Sequence, residues 1–332
     1  MAPQDDTNFG NGTLVFRFVP RKKSCILFFH PPKDLATSVF ARLPDEFRKA
    51  DPNNDWARYQ PKGSPARSLL EGPSFDREGN LWCVDLPNGR IYKITQDGSF
   101  HVAAEYDGWP NGLKFHSDGR IFIADYKNGI MEMDPVNGKV RPYLVRASLA
   151  PFKGCNDLFF AANGDLYFTD QGLTGLHDPT GRLFRLTASA QLDCLLDNVP
   201  SPNGLVMNLA ENMIYLAETR GNCVWRVPLS PDGGVAKVGI YIQLSGGWGC
   251  PDGLALDSEG RLFIAHVGMA AVWVVDALGE PVYRIRSCAE PHTTNMAFGG
   301  ADNKTLFITE SGSGSILKAE MDVPGKLMFS HR

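Results

Sequence analysis

Apolar and polar residues alternate along most of this chain in short segments, and one such pattern recurs six times. Each copy has a polar residue, a small or turn residue, two apolar positions separated by one residue, a turn with Gly or Asn, and a β-forming segment closed by a polar residue. Because period-two alternation is typical of strands and Asp-Gly or Asn-Gly turns join them closely, we expect each copy to be a β-hairpin. The copies begin at Glu71, Asn111, Asn156, Asn203, Asp252 and Thr294.

Most hairpins are followed by further strand-like sequence, as at residues 90–95, 223–229 and 271–276. The copies start 40, 45, 47, 49 and 42 residues apart, which leaves room for a four-stranded sheet in each period. Repeated units of this kind pack radially around an axis. We therefore predict an all-β fold, a six-bladed β-propeller; the alternative is a β-sandwich whose hairpins resemble one another by chance.

The six repeats span residues 67–322 and residues 1–66 stand outside them as an N-terminal extension. Within the extension, residues 13–19 and 25–29 are strand-like and LPDEFRK at 43–49 is typical of a short helix. We expect one strand of the extension to complete the last blade, so that residues 1–332 form a single propeller domain.

Composition narrows the class of partner. The net charge of −4 and the lack of a long Lys/Arg run disfavour nucleic acid. The longest apolar run, residues 25–29, is far below the ~20 residues of a membrane span, and no charged leader precedes an apolar segment. The seven cysteines include no Cys-x-x-Cys pair. We expect a cytoplasmic protein without a disulfide scaffold, a nucleic-acid partner or a membrane partner; its oligomeric state stays open.

The residues that open the six copies all carry side-chain oxygen atoms. The first strand of each propeller blade lines the central channel, so these positions are expected to form a ring at one end of it. Two carboxylates among neutral oxygen donors suit Ca²⁺, whereas Zn²⁺ favours Cys and His, which the ring lacks. The alternative is that Asn and Asp before Gly are turn formers only.

A second column of polar residues closes the second strand of each copy and is expected at the same end of the channel. Its members either support the ring or accept backbone N–H bonds. We favour the second role for Asp85 and Asp125. For Asp170, which leads into a long loop, both roles stay open. His266 and His292 are further candidates, and Trp109, just before a ring residue, is expected to line the pocket or to pack between blades. The column consists of Asp85, Asp125, Asp170, Glu218, His266 and Glu310.

At these motifs the chain, over residues ~70 to ~320, resembles the gluconolactonase and senescence-marker (regucalcin) family of calcium-dependent six-bladed propellers. The resemblance rests on the order and spacing of LEGPSFDREGNLWCVD, WPNGLKF, CNDLFFAANGDLYFTD, SPNGLVM, CPDGLALDSEGRLFIA and TTNMAFGG. It implies that Glu71, Asn156, Asn203 and Asp252 hold the metal and that Asn111 is a pocket residue near the ion. Cys155 and the QGLTGLHD loop depart from typical gluconolactonases, which leaves the substrate open.

The resulting functional hypothesis is metal-dependent hydrolysis of a lactone. Ca²⁺ is the expected ion, with Zn²⁺, Mn²⁺ or Mg²⁺ as alternatives. The metal would polarise the carbonyl and a carboxylate would activate water. Asp252 is the expected base, or Asp170 if the metal engages Asp252 fully, and Trp109, Asn111 and His292 are expected to contact the substrate.

Three other functions stay open at this point. The first is a metal-dependent aryl esterase or phosphotriesterase. The second is a non-catalytic binding propeller with a structural calcium, and the third is a metal-independent condensing enzyme of the strictosidine-synthase type.

Overall fold

Short antiparallel sheets dominate the computed structural model, which describes residues 30–49, 54–58 and 67–332. Six sheets follow one another along the chain, and the first strands of consecutive sheets contact each other around a closed ring. The fold is a six-bladed β-propeller, as the repeat predicts. The predicted strands at 13–19 and 25–29 lie outside the described residues, and the assignment of residues 1–332 to one domain stays a prediction.

The strands of the first three blades run from the channel outwards in chain order, and a short hairpin (β11 and β12) separates blades 2 and 3. Blade 1 comprises β3 (Leu70–Phe75), β4 (Leu81–Asp85), β5 (Arg90–Ile94) and β6 (Phe100–Glu105). Blade 2 comprises β7 (Pro110–Phe115), β8 (Ile121–Asp125), β9 (Gly129–Asp134) and β10 (Lys139–Leu144), followed by β11 (Arg146–Ala147) and β12 (Ala150–Pro151). Blade 3 comprises β13 (Cys155–Phe160), β14 (Leu166–Asp170), β15 (Gly181–Leu186) and β16 (Leu192–Val199).

The last three blades repeat this order. Blade 4 comprises β17 (Pro202–Met207), β18 (Met213–Glu218), β19 (Cys223–Pro228) and β20 (Gly239–Gln243). Blade 5 comprises β21 (Cys250–Leu256), β22 (Leu262–Val267), β23 (Ala271–Val275) and β24 (Pro281–Arg286). Blade 6 comprises β25 (Thr293–Gly299), β26 (Thr305–Glu310) and β27 (Ser315–Glu320).

Two N-terminal strands join the outer edges of the last two blades. β2 (Ser38–Arg42) pairs antiparallel with β27 and supplies the fourth strand of blade 6, at residues that the sequence analysis did not mark as strand-like. β1 (Lys33–Ala36) pairs parallel with β24 at the outer edge of blade 5, an addition that the repeat does not predict. The helices are short: α1 (Asp55–Arg58) and 3₁₀ turns at Asp45–Phe47, Leu86–Asn88 and Phe329–His331, the first of which lies in the predicted LPDEFRK segment.

The apolar core lies between the faces of neighbouring blades. Each blade is too thin to bury both faces alone, so stacking against its neighbours supplies the core. Separate clusters fill the spaces between blades 1 and 2, blades 2 and 3, blades 5 and 6, and blades 6 and 1, and one larger cluster joins blades 3 to 5. The polar residues that open each first strand are thereby held at fixed positions around the channel.

Candidate functional site

The first strand of every blade has a β-bulge at the level of the predicted ring. The register shifts between Glu71 and Ser74 in blade 1, and at the equivalent place in the other five blades. A bulge breaks the strict alternation of side chains and re-aims them. We call the residues that open the six copies the channel ring; five of its six members are buried and Asp252 is partly exposed.

Carboxylates of the channel ring lie close enough to influence one another. Burial, aided by the charge of Asp157, raises the pKa of Glu71 to about 7, against the hydrogen bond that Gly72 N–H donates to Glu71 Oε2 at 2.9 Å. Burial, then the charges of Glu71 and Asp157, raise the pKa of Asp252 well above its usual range, while the Asn203 side chain and Arg220 lower it. Three carboxyl groups therefore share one low-dielectric site, which a cation would stabilise.

Asp157 and Asn295 enter this site although the sequence analysis did not single them out. Asn295 Nδ2 donates to Glu71 Oε2 at 3.0 Å and lies 3.4 Å from Asp157 Oδ2, so the side chain of blade 6 meets that of blade 3 across the channel. Met296 N–H donates to Asn295 Oδ1 and fixes the amide orientation. Asn295 thus positions the carboxylate of Glu71.

The sequence does contain a signal for these two residues. Four copies place Gly directly after the ring residue, whereas the third and sixth have Asp157 and Asn295 there. The glycines of the preceding blades make room: a Cβ on Gly112 would lie 2.7 Å from Asp157 Oδ1, and one on Gly253 would lie 2.1 Å from Asn295 Cγ. The alternation of glycine with a polar side chain is therefore steric.

The other ring members have distinct surroundings. Asn156 Nδ2 donates to Gln171 Oε1 at 3.0 Å, and Gln171 Nε2 donates to Ser201 Oγ, so this amide is held by the loop after β14. The hydroxyl of Thr294 donates to Leu70 O at 2.8 Å, which makes it a brace between blades 6 and 1. Asn111 is buried in the ring at 7% exposure.

The six residues that close the second strands, which we call the strand-end column, are all buried. Asp125 accepts bonds from the N–H groups of Trp109, Lys127 and Asn128. Asp170 accepts from Gly154 N–H at 2.8 Å through Oδ1 and from Arg182 Nε at 2.7 Å through Oδ2. The column thus fastens the turns around the channel end.

Two further predicted residues lie beside the ring. Trp109 is partly buried just ahead of Asn111, with its N–H on Asp125. His292 is exposed in the turn before β25, and its carbonyl accepts from Ser311 N–H. His266 is buried between Asn222 Oδ1, 2.9 Å from its Nε2, and Trp273 Nε1, 3.2 Å from its Nδ1.

The donor set fits a hard cation. Within the described ranges no group of three or more His, Cys, Asp and Glu side chains is arranged as a metal cluster. The channel ring instead combines two acidic side chains with Asn side chains, and oxygen donors of this kind are what Ca²⁺ takes. Mutual repulsion of buried carboxyl groups is the observation that favours a cation here.

Comparison with known proteins provides independent evidence on the family of this chain. Residues 69–312 match the family model described as "SMP-30/Gluconolactonase/LRE-like region". The lactonase drp35 of Staphylococcus aureus (strain USA300) is 26% identical over 311 residues, 88% of this chain and 92% of that protein.

Two solved structures share the fold. Regucalcin from Agrobacterium tumefaciens, described as a calcium-binding protein, has a TM-score of 0.72 at 22% identity and covers 91% of this chain and 100% of its own. A gluconolactonase from Xanthomonas campestris has a TM-score of 0.67 at 23% identity and covers 77% and 86%. The described residues contain no helix long and apolar enough to cross a membrane.

Proposed function

Because the chain belongs to the SMP-30/gluconolactonase/LRE-like family, we propose that it is a calcium-dependent hydrolase that opens a lactone ring. The family and the lactonases among its relatives support lactone hydrolysis. The observation that supports the metal is that Asn295 Nδ2 lies 3.0 Å from Glu71 Oε2 and 3.4 Å from Asp157 Oδ2. Burial, and then the charges of these two carboxyl groups, also raise the pKa of Asp252. A calcium-binding protein among the structural neighbours agrees with this choice of ion.

Glu71, Asn156, Asn203 and Asp252 are the residues that would hold the ion. Asn295 donates to one oxygen of Glu71, and Gln171 accepts from the amide nitrogen of Asn156, so that the Asn156 carbonyl oxygen is free to act as a ligand. When bound, Ca²⁺ would act as a Lewis acid that polarises the lactone carbonyl. Mn²⁺, Mg²⁺ and Zn²⁺ are tested beside it.

Asp252 is our proposed general base. It is the partly exposed carboxylate of the ring, so water can reach it, and it would remove the proton as that water attacks the carbonyl carbon. Asp170, the alternative, is fully buried, and both of its oxygens already accept bonds from Gly154 and Arg182. Geometry therefore favours Asp252.

The substrate would enter from the face that carries Trp109, Asn111 and His292. Asn111 stands in the ring itself and is proposed to orient the lactone oxygens, with Trp109 and His292 at the pocket wall. A cytoplasmic location, as expected from the sequence, is part of this proposal.

The test is acid release in a pH-stat from sugar-derived and aliphatic lactones, with chelator-stripped protein before and after addition of each ion. We expect turnover that returns with Ca²⁺. The matched variant is Glu71→Gln, which keeps the shape of the side chain and removes the charge of one ligand. It should need a much higher Ca²⁺ concentration for half-maximal rate.

Each other outcome has a definite meaning. Full turnover by the chelator-stripped protein would contradict the proposed metal dependence. Calcium binding without turnover on any lactone would contradict lactone hydrolysis, and aryl esters and phosphotriesters in the same assay would then test the esterase alternative.

A further inference from the structure

A second cavity lies at the opposite end of the central channel from the ring. Its volume is about 630 Å³, within the range of roughly 300–1,000 Å³ that small-molecule pockets occupy. Most of its wall is apolar, including Phe75, Phe159, Leu254 and Met296. No member of the channel ring lines it, and neither do Asp157 and Asn295, whose contact spans the channel above it.

The C-terminal segment, residues 321–332, crosses the open end of this cavity and is fastened to several blades. Lys326 Nζ donates to Met207 O and Asn208 O in blade 4, both at 3.1 Å. Arg77 Nε of blade 1 donates to Ser330 O at 2.8 Å. Phe329 stacks on Phe160 of blade 3 with ring centroids 5.5 Å apart. Residues 326–328, 330 and 331 thus form part of the wall of this partly open cavity.

Most charged groups in the wall have partners within the protein. Asp76 accepts from Trp82 Nε1 at 2.9 Å, and Lys326 lies 3.0 Å from Glu211 Oε1. Lys114 differs. Among the described residues its ammonium donates one hydrogen bond, to Leu113 O at 3.1 Å, and it lies beyond ion-pair distance of any carboxylate, although its charge opposes the rise in the pKa of the buried Asp157. An ammonium carries three donors, so two stay available in a largely apolar space.

We propose that this cavity binds a small carboxylic acid with an apolar body, whose carboxylate is held by Lys114. The apolar wall matches an alkyl or aryl body, and the two donors that Lys114 has available match one carboxylate. Wall groups such as Asp76 and Lys326 have their own partners, so a highly hydroxylated ligand would find few free donors or acceptors here. No channel-ring residue lines this cavity, so the proposal does not depend on the lactone site, although the charge of Lys114 also acts on Asp157.

The experiment is calorimetric titration of the full chain with dodecanoate below its micellar concentration, and with dodecanol as the uncharged analogue. We expect one site for dodecanoate. Lys114→Met should weaken dodecanoate binding at least about tenfold and leave dodecanol binding unchanged, since a charge-assisted hydrogen bond accounts for the difference. Lys114→Arg should restore most of the affinity.

Ala297→Phe serves as a second variant because it fills the cavity without touching the charge. It should reduce binding of both ligands, and its circular dichroism and melting curve establish that it is folded. If Lys114 is instead only a counterion for Asp157, Lys114→Met will bind dodecanoate as well as the parent protein does, which would overturn the proposal. Binding at many sites, or none, would also overturn it.

Discussion

The channel ring and the strand-end column lie at the same end of the propeller and are both largely buried, yet their hydrogen bonding differs. In the strand-end column, the carboxylates of Asp125 and Asp170 accept hydrogen bonds from turn N–H groups, and Asp170 also accepts one from Arg182. In the channel ring, burial and then the charges of neighbouring carboxyl groups raise the pKa values of Glu71 and Asp252. Buried polar groups that are fully satisfied specify structure, whereas buried like charges need a partner from outside the chain.

The largest expected effect within this comparison is that of Asp252→Asn. Asparagine keeps the size of the side chain but cannot accept a proton from water, and general base catalysis contributes roughly 10²–10⁴-fold. We expect turnover to fall at least about a thousandfold in the pH-stat assay with saturating Ca²⁺. The free energy of unfolding should change little or rise, because one of three repelling carboxyl groups is removed.

The control for this variant is Asp302→Asn, an exposed aspartate in a turn of blade 6. It should retain the parent rate. Turnover by Asp252→Asn within tenfold of the parent would reject Asp252 as the base.

Asp170→Asn should show the opposite balance. It removes the charge from a buried pair with Arg182, whose side chain is 17% exposed, and breaking such pairs costs about 3 kcal/mol. We expect a loss of about that size in the free energy of unfolding, measured by urea titration. Turnover should stay within about tenfold of the parent below the unfolding transition. A folded Asp170→Asn protein without activity would return Asp170 to the role of base.

The sequence predicted the fold because the repeat expresses packing rules that act locally. Period-two alternation and Gly or Asn turns specify each hairpin, and six hairpins in register specify the six blades. The parallel addition of β1 to blade 5 was not foreseen, because a single short strand outside the repeat carries no periodic signal.

The candidate site was predicted less completely. The ring follows from equivalent positions in the repeat. Asp157 and Asn295 instead stand where the other four copies have Gly, so the pattern that the copies share does not single them out. Asp170 is satisfied internally by Gly154 N–H and by Arg182, and neither contact can be read from the spacing of the repeat.

Asn295→Ala tests the residue that departs from the repeat. Its loss removes the amide that orients Glu71 Oε2 and exposes Glu71 and Asp157 to each other, so the apo protein loses a brace without losing a ligand. We expect Ca²⁺ affinity, measured by calorimetry, to fall about tenfold, in keeping with the roughly 10–100-fold effect of groups that orient metal ligands. Asn295→Gln keeps an amide but places it one methylene further from the backbone, so its Ca²⁺ affinity should lie between those of the parent protein and Asn295→Ala. Unchanged affinity in Asn295→Ala would make Asn295 a packing residue only.

The smallest expected effect concerns His266 in the strand-end column. Burial lowers the pKa of His266 to about 4 from its ordinary value of 6.5, so the folded protein keeps this ring neutral. Between pH 6.5 and 4 the unfolded chain binds a proton that the folded chain does not, and stability falls as the pH is lowered through that window.

His266→Gln removes this proton uptake. Between pH 7 and pH 5.5 the parent protein should lose about 1 kcal/mol more of its free energy of unfolding than the variant does. Urea titrations of both proteins at the two pH values measure the difference. The contribution of the carboxyl groups common to both proteins cancels in it. Equal losses would show that His266 is protonated in the folded state, and the strand-end column would then contain a charged group facing the site rather than a set of satisfied structural residues.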